Sequence, residues 1–202
     1  MEYWDPLYYY FNEVGEYDVE IELIDPTLIN PLMFYYNDEG IRACLTSVVI
    51  PDSVTSIGYQ AFYDCSSLTS VNISNNLTYI ESQCFERCSG LTSIVIPDSV
   101  TSIGDSAFSY CSSLTSVNIG SGVTTIYSNA FKHCSGLNEI TCNAITAPEV
   151  YYDTFKDVKE GGVLKVPAGS DYSTWMSTDD QNNNYGHNSG YLSEYNWTIE
   201  YI

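Results

Sequence analysis

The sequence predicts an α/β solenoid: right-handed 23-residue coils with a parallel β-sheet on one face, short 3-10 or helical turns on the other, and β-rich caps. Three observations carry this prediction. Four blocks align without a gap, at 45–67, 68–90, 91–113 and 114–136, and a fifth begins at Leu137. The same positions are apolar in every block, so a block alone cannot bury them and neighbours must stack. Cys65, Cys88, Cys111 and Cys134 also fall one per block at a fixed place, which a stacked array turns into a column.

Three regions follow in chain order. Residues 1–44 are read as an N-terminal β-hairpin cap. Within 8–24, Tyr17, Val19, Ile21 and Leu23 alternate after the Gly15 turn, and a solenoid end exposes its core unless something covers it.

Residues 45–142 are the coils. In LTSVVIPDSVTSIGYQAFYDCSS and its successors, Leu stands first, Val or Ile fourth and Ile sixth. This partly alternating, β-branched run reads as a short strand whose remaining residues face outward. Pro51 and Pro97, with Ser74 and Gly120 in the same place, end it, because proline cannot donate to a ladder. The V-T-S-I segment supplies a second inward pair, and A-F-x-x-C has the spacing of one helical or 3-10 turn. Phe62, Phe85, Phe108 and Phe131 then form a core column. The four column cysteines read as buried free thiols, since parallel Cβ vectors are poor bridge geometry. Cys84 replaces the alanine of the other blocks and Cys142 falls in the column of Ile50, Ile73, Ile96 and Ile119, so both are structural. Cys44 has only a boundary position. Blocks one and three share VIPDSVTSIG, which makes a 46-residue coil pair the larger unit.

Residues 143–202 are read as a degenerate repeat followed by a C-terminal cap. Phe155 takes the repeat phenylalanine position, Val163 to Val166 form a strand, and Trp175 and Trp197 anchor the cap.

Composition removes several function classes. The net charge of −20, from 26 acidic against 6 basic residues, repels phosphate backbones, so nucleic acid is not an expected partner. No apolar run reaches the roughly 18–20 residues that span a bilayer, so no membrane insertion is expected. The start, MEYWDPLYYY, lacks a signal peptide's basic segment, and any leader is expected to have been trimmed. His133 and His187 are the only histidines and cannot make a zinc site of the H-E-x-x-H kind, and no nucleophile elbow or phosphate loop is present. Asp180, Asn182 and Asn184 have calcium-loop spacing, but Tyr185 and Tyr191 stand where that loop needs Gly and Glu. A solvated loop is the better reading there. No catalytic residue, cofactor or metal is expected.

The recurring L-T-S-[VI]-x-I-P-x-x-V-x-x-I-x-x-x-A-F-x-x-C resembles the BspA-type leucine-rich repeat and covers 45–142 closely. The resemblance implies a protein of host-associated anaerobic bacteria, commonly surface-exposed or secreted, that adheres to or binds other proteins. It implies no catalytic residues. The pattern F-x-x-x-G-x-Y-x-V near the start is also similar to the last hairpin of an Ig-like surface module, and V-P-A-G-S with YNWTIEYI resembles the terminal cap of bacterial proteins carrying these repeats.

The functional expectation is therefore a non-enzymatic cell-surface or secreted module recognising an extracellular host protein or glycan. Its candidate binding face comprises the outward strand residues Thr46, Ser47, Val49, Thr69, Ser70, Asn72, Thr92, Ser93, Val95, Thr115, Ser116 and Asn118. Tyr59, Tyr63, Tyr110 and Tyr127 form a second candidate surface, since tyrosine adds contact area at little entropic cost. The alternatives are a structural spacer presenting another domain and, last, an enzyme.

Overall fold

The computed structural model describes residues 28–29, 44–176 and 191–202. The hairpin expected within 8–24, the segment 179–186 and His187 lie outside them.

Each coil contributes one strand to each of two parallel rows, and each row is interrupted once along the array. The first sheet is built from the L-x-x-V-x-I segments: β2 (Ser47–Val49), β4 (Ser70–Asn72), β6 (Ser93–Ile96), β8 (Ser116–Ile119) and β10 (Glu139–Cys142). It continues into the cap through β12 (Val163–Val166) and β13 (Thr198–Tyr201), all in parallel register. The second sheet comes from the V-T-S-I segments β5 (Tyr79–Ile80), β7 (Ser102–Ile103), β9 (Thr125–Ile126) and β11 (Glu149–Val150), while β3 (Ser56–Ile57) of the first coil lies in the same row but is not bonded to β5. Upstream, β1 (Leu28–Ile29) pairs in parallel with β3, so the region read as a cap also supplies a strand in solenoid register. The sequence reading placed the inward pair of V-T-S-I and missed its sheet, because a two-residue strand is too short to show a period.

The expected helical or 3-10 stretch of A-F-x-x-C takes the form of consecutive hydrogen-bonded turns. In the second coil, Cys84 N–H bonds the Glu81 carbonyl, Glu86 N–H that of Gln83, and Cys88 N–H that of Phe85, the three-residue spacing of a 3-10 turn. The intervening N–H groups of Gln83, Phe85 and Arg87 point instead along the array, to carbonyls of Asp105, Ala107 and Ser109 in the next coil. Every backbone donor in the segment is thereby paired, a third seam beside the two sheets. The alternation requires left-handed backbone at two places per coil. Gln60, Gln83, Ser106, Asn129 and Asp153 occupy one and Asp64, Arg87, Tyr110, His133 and Asp157 the other, with φ between +53° and +63°.

The core lies between these seams. Phe62, Phe85, Phe108, Phe131 and Phe155 stack with centroid separations of 5.2, 5.4, 5.4 and 5.9 Å and nearly parallel planes. Phe155 thus takes the repeat position expected of it, in a coil with one extra residue, where Thr154 replaces the column alanine and Val158 the column cysteine. The stack ends on Trp175, in the short helix α1 (Ser173–Met176), whose ring sits 5.1 Å from Phe155 while its indole N–H donates to the Pro148 carbonyl. Trp197 is the second anchor, with its N–H on the Lys159 carbonyl and its ring against Gly162, where a Cβ would come within 2.3 Å of it.

The 46-residue coil pair is visible as a difference between junctions. Asp52 Oδ1 accepts the Asn75 N–H and Asp98 Oδ1 accepts the Ser121 N–H, joining coil one to two and three to four. Gly122 is required by the second join, since a Cβ there would lie 2.0 Å from the Asp98 carbonyl oxygen. Between β4 and β6, the boundary of the two pairs, the first-sheet ladder is interrupted, and the Thr92 N–H reaches the Thr69 oxygen at 3.4 Å.

Candidate functional site

The first-sheet face is set by strand alternation. Ile50, Leu68, Ile73, Leu91, Ile94, Ile96, Leu114, Val117 and Ile119 are buried, which turns the residues between them outward. Among the candidate residues, Ser116 is half-buried and the other eleven are exposed. The register places Val49 opposite Asn72 and Val95 opposite Asn118, a row that alternates apolar and amide groups, with Val49 74% and Val95 61% exposed. Thr141, Lys165 and Glu200 continue this row into the cap. Over its first four coils the face carries no charge. Past them Lys165 bonds Glu139 across two strands at 2.8 Å, and that carboxylate raises the lysine pKa.

The threonines of this face have structural work. Thr69 Oγ1 donates to the Thr46 carbonyl, Thr92 to that of Thr69 and Thr115 to that of Thr92, at 2.9, 3.4 and 3.0 Å. A matching ladder runs along the second sheet, where Thr101 donates to the Thr78 carbonyl and Thr124 to that of Thr101. These hydroxyls tie coil to coil and leave Ser47, Ser70, Ser93 and the Val/Asn row facing outward. Asn118 is held as well, its Oδ1 accepting from Asn143 at 2.8 Å.

The same register that builds the face is what a family model reads. The model of the BspA type leucine rich repeat region matches residues 34–160 in 6 copies. The chain belongs to the BspA-type leucine-rich-repeat family. The match begins upstream of the first aligned block and runs to the end of the fifth coil. Among solved structures, this BspA-type chain is similar to a leucine rich cell surface protein from Faecalibacterium prausnitzii A2-165, with 42% identity over 50% of this chain and 26% of that one, at a TM-score of 0.49. It is also similar to the leucine rich repeat protein of T. pallidum, with 27% identity over 61% of this chain and 63% of that one, TM-score 0.48. A leucine-rich repeat protein from Bacteroides ovatus shares 20% identity over 74% of this chain and 60% of that one, TM-score 0.32. The chain spans less than two thirds of the length of each of these structures. No curated protein matches it.

The four tyrosines of the second candidate surface of this BspA-type protein divide. Tyr59 and Tyr127 are exposed beside the second sheet. Tyr63 is half-buried, which corrects its reading as an exposed contact residue, and Tyr110 stands elsewhere, at a left-handed turn corner. There Arg87 lies 5.0 Å over the Tyr110 ring, the Tyr110 and His133 rings meet at 4.4 Å with their planes tilted by 35°, and His133 Nδ1 meets Asp157 Oδ2 at 3.0 Å. These residues recur once per coil and are occupied with one another. Separation by a whole coil hides such a stack from any local reading of sequence.

Cysteine chemistry here is structural. The Cys88, Cys111 and Cys134 thiols donate to the carbonyls of Phe62, Phe85 and Phe108, and burial pushes the Cys134 pKa up to about 12. Cys84 and Cys142 are buried with raised pKa values, again from loss of hydration, whereas Cys44 is exposed. A high pKa keeps a thiol protonated and unreactive. Among the described residues there is no group of three or more His, Cys, Asp or Glu placed to hold a metal, and no helix long and apolar enough to cross a membrane.

Proposed function

We propose that this BspA-type repeat protein is a non-enzymatic binding or adhesion module, surface-exposed or secreted, whose first-sheet face recognises an extended host protein or glycan. The observation that carries this reading is the Val49–Asn72–Val95–Asn118 row, exposed and uncharged, with Val49–Asn72 and Val95–Asn118 each held in register by the ladder of its coil pair. Short side chains on a rigid backbone lose little entropy on binding, so modest contacts retain most of their value. An uncharged strip also lets a neutral partner approach a chain of net charge −20 without a charged group being desolvated at its centre.

The family supports binding, and the wider placement at the cell surface rests on the same resemblance. Binding of the purified chain to immobilised host matrix proteins, mucins and glycans, at low and at physiological salt, tests it. Saturable binding that survives salt supports recognition through the uncharged face, since screening weakens only charge-driven contacts. Binding that vanishes at physiological salt, or none at all, overturns it and favours a spacer.

A further inference from the structure

The second sheet presents an outer surface chemically unlike the first. Tyr79, Ser102, Thr125 and Glu149 lie in one register across β5, β7, β9 and β11. The next outward positions hold Glu81, Tyr127 and Tyr151, and beyond them come Tyr59, Asp105 and Tyr152. Tyr59, Tyr127 and Tyr152 are 44%, 39% and 43% exposed, and the Tyr127 and Tyr151 rings stack at 5.4 Å. No lysine or arginine occurs in 56–60, 79–83, 102–106, 125–129 or 149–153. Arg87, Lys132 and Lys156 stand at the turn corner, where Lys132 and Lys156 both bind the buried Asp153 at 2.9 and 3.2 Å. Glu81, Asp105 and Glu149 therefore place negative charge on the same strip as the tyrosines, in segments that hold no lysine or arginine. These groups share one neighbourhood: burial first, then the charge of Glu81 and more weakly Tyr127 and Asp105, raise the Tyr79 phenol.

We infer that this tyrosine and carboxylate strip is a second docking surface, separate from the first-sheet face, for an extended cationic polypeptide segment rich in arginine or lysine. Charge complementarity selects that occupant. A guanidinium or ammonium group lies favourably over a tyrosine face, and an adjacent carboxylate completes its pairing. The strip crosses five coils at about 4.8 Å each, so it accommodates roughly six or seven residues of extended chain. The net charge of −20 draws such a segment in from a distance.

Fluorescence anisotropy of a labelled octa-arginine peptide with the full chain, at about 150 mM salt, where charges more than ~8 Å apart are screened, tests the assignment. The strip variant combines Glu81→Gln, Asp105→Asn and Glu149→Gln; the ring variant combines Tyr127→Ser and Tyr152→Ser; a control removes equal charge through Glu160→Gln, Glu194→Gln and Glu200→Gln. The expected result is saturable one-site binding, weakened about tenfold or more in both the strip and ring variants and within about twofold of native in the control. The ring variant keeps every charge, so its result stands even where the strip variant melts early. Equal weakening in strip and control variants, unsaturable binding, or preference for neutral oligosaccharides that depends on the rings and not the carboxylates would overturn the inference. Substitution of Asn72 and Asn118 leaves octa-arginine binding unchanged, so failure here is distinct from failure of the first-sheet reading.

Discussion

Glu86 stands in the second coil where Ser109 stands in the third, and its side chain is drawn in until only 11% remains exposed. Its Oε2 has no hydrogen-bond partner, and loss of hydration raises its pKa against the opposing effects of Gln83 and Arg87. A raised carboxyl pKa in the folded state means the folded chain holds the proton more tightly than the unfolded one. The stability this group gives is thus fully present below the unfolded carboxyl pKa and lost as pH rises through the folded value. Glu86→Gln removes that buried charge and should therefore raise stability at pH 7, with the gain fading below about pH 4, where the native carboxyl is protonated. Chemical denaturation of both proteins at the two pH values checks this. The left-handed residues make the opposite kind of demand. Ser106 has φ +55°, a conformation that β-branched side chains resist. Ser106→Val should cost about 1–3 kcal/mol while Ser106→Gly stays near neutral, as compared by urea midpoints.

At the scale of the element, the phenylalanine stack and the turn that carries it depend on one another. The Phe108 N–H bonds the Ala130 carbonyl of the next coil, its own carbonyl accepts Cys111 N–H and the Cys134 thiol, and its ring contacts Phe85 and Phe131. Phe108→Ala opens a cavity between two rigid coils and should cost about 3–5 kcal/mol in equilibrium denaturation, while a loss near zero would deny the inward orientation. This column was legible in the sequence because eight apolar positions repeat in register, and a period of that strictness has few structural explanations. The second sheet was not, since two residues per strand carry no alternation of their own. Nor were the left-handed corners, because Gln83, Arg87, Tyr110 and His133 are not residues that announce a turn. The neighbouring coil imposes that conformation by taking their N–H groups.

Across the whole molecule, the array seals its cysteines and leaves its two faces distinct. Of the 7 cysteines, Cys44 is exposed and Cys65, Cys84, Cys88, Cys111, Cys134 and Cys142 are buried. A disulfide reagent added near pH 8 to the reduced native chain should titrate Cys44 promptly and the rest only after denaturant is added. Prompt reaction of several would mean that the coils open readily. The first-sheet face was legible as an outward row, yet the use of its threonine hydroxyls was not, because a donor's partner one coil away is a tertiary fact. The tyrosine reading erred at Tyr63 for the same reason, since a repeat position fixes a row and the depth of a side chain depends on its neighbours in adjacent coils; Tyr110 is exposed as expected but sits at the turn corner. The most direct test of the first-sheet face as the recognition surface replaces Asn72 and Asn118 together with tryptophan and measures the affinity for a ligand drawn from the host panel. An affinity about tenfold or more weaker at an unchanged melting temperature is the predicted result; full affinity in the doubly substituted chain would contradict it.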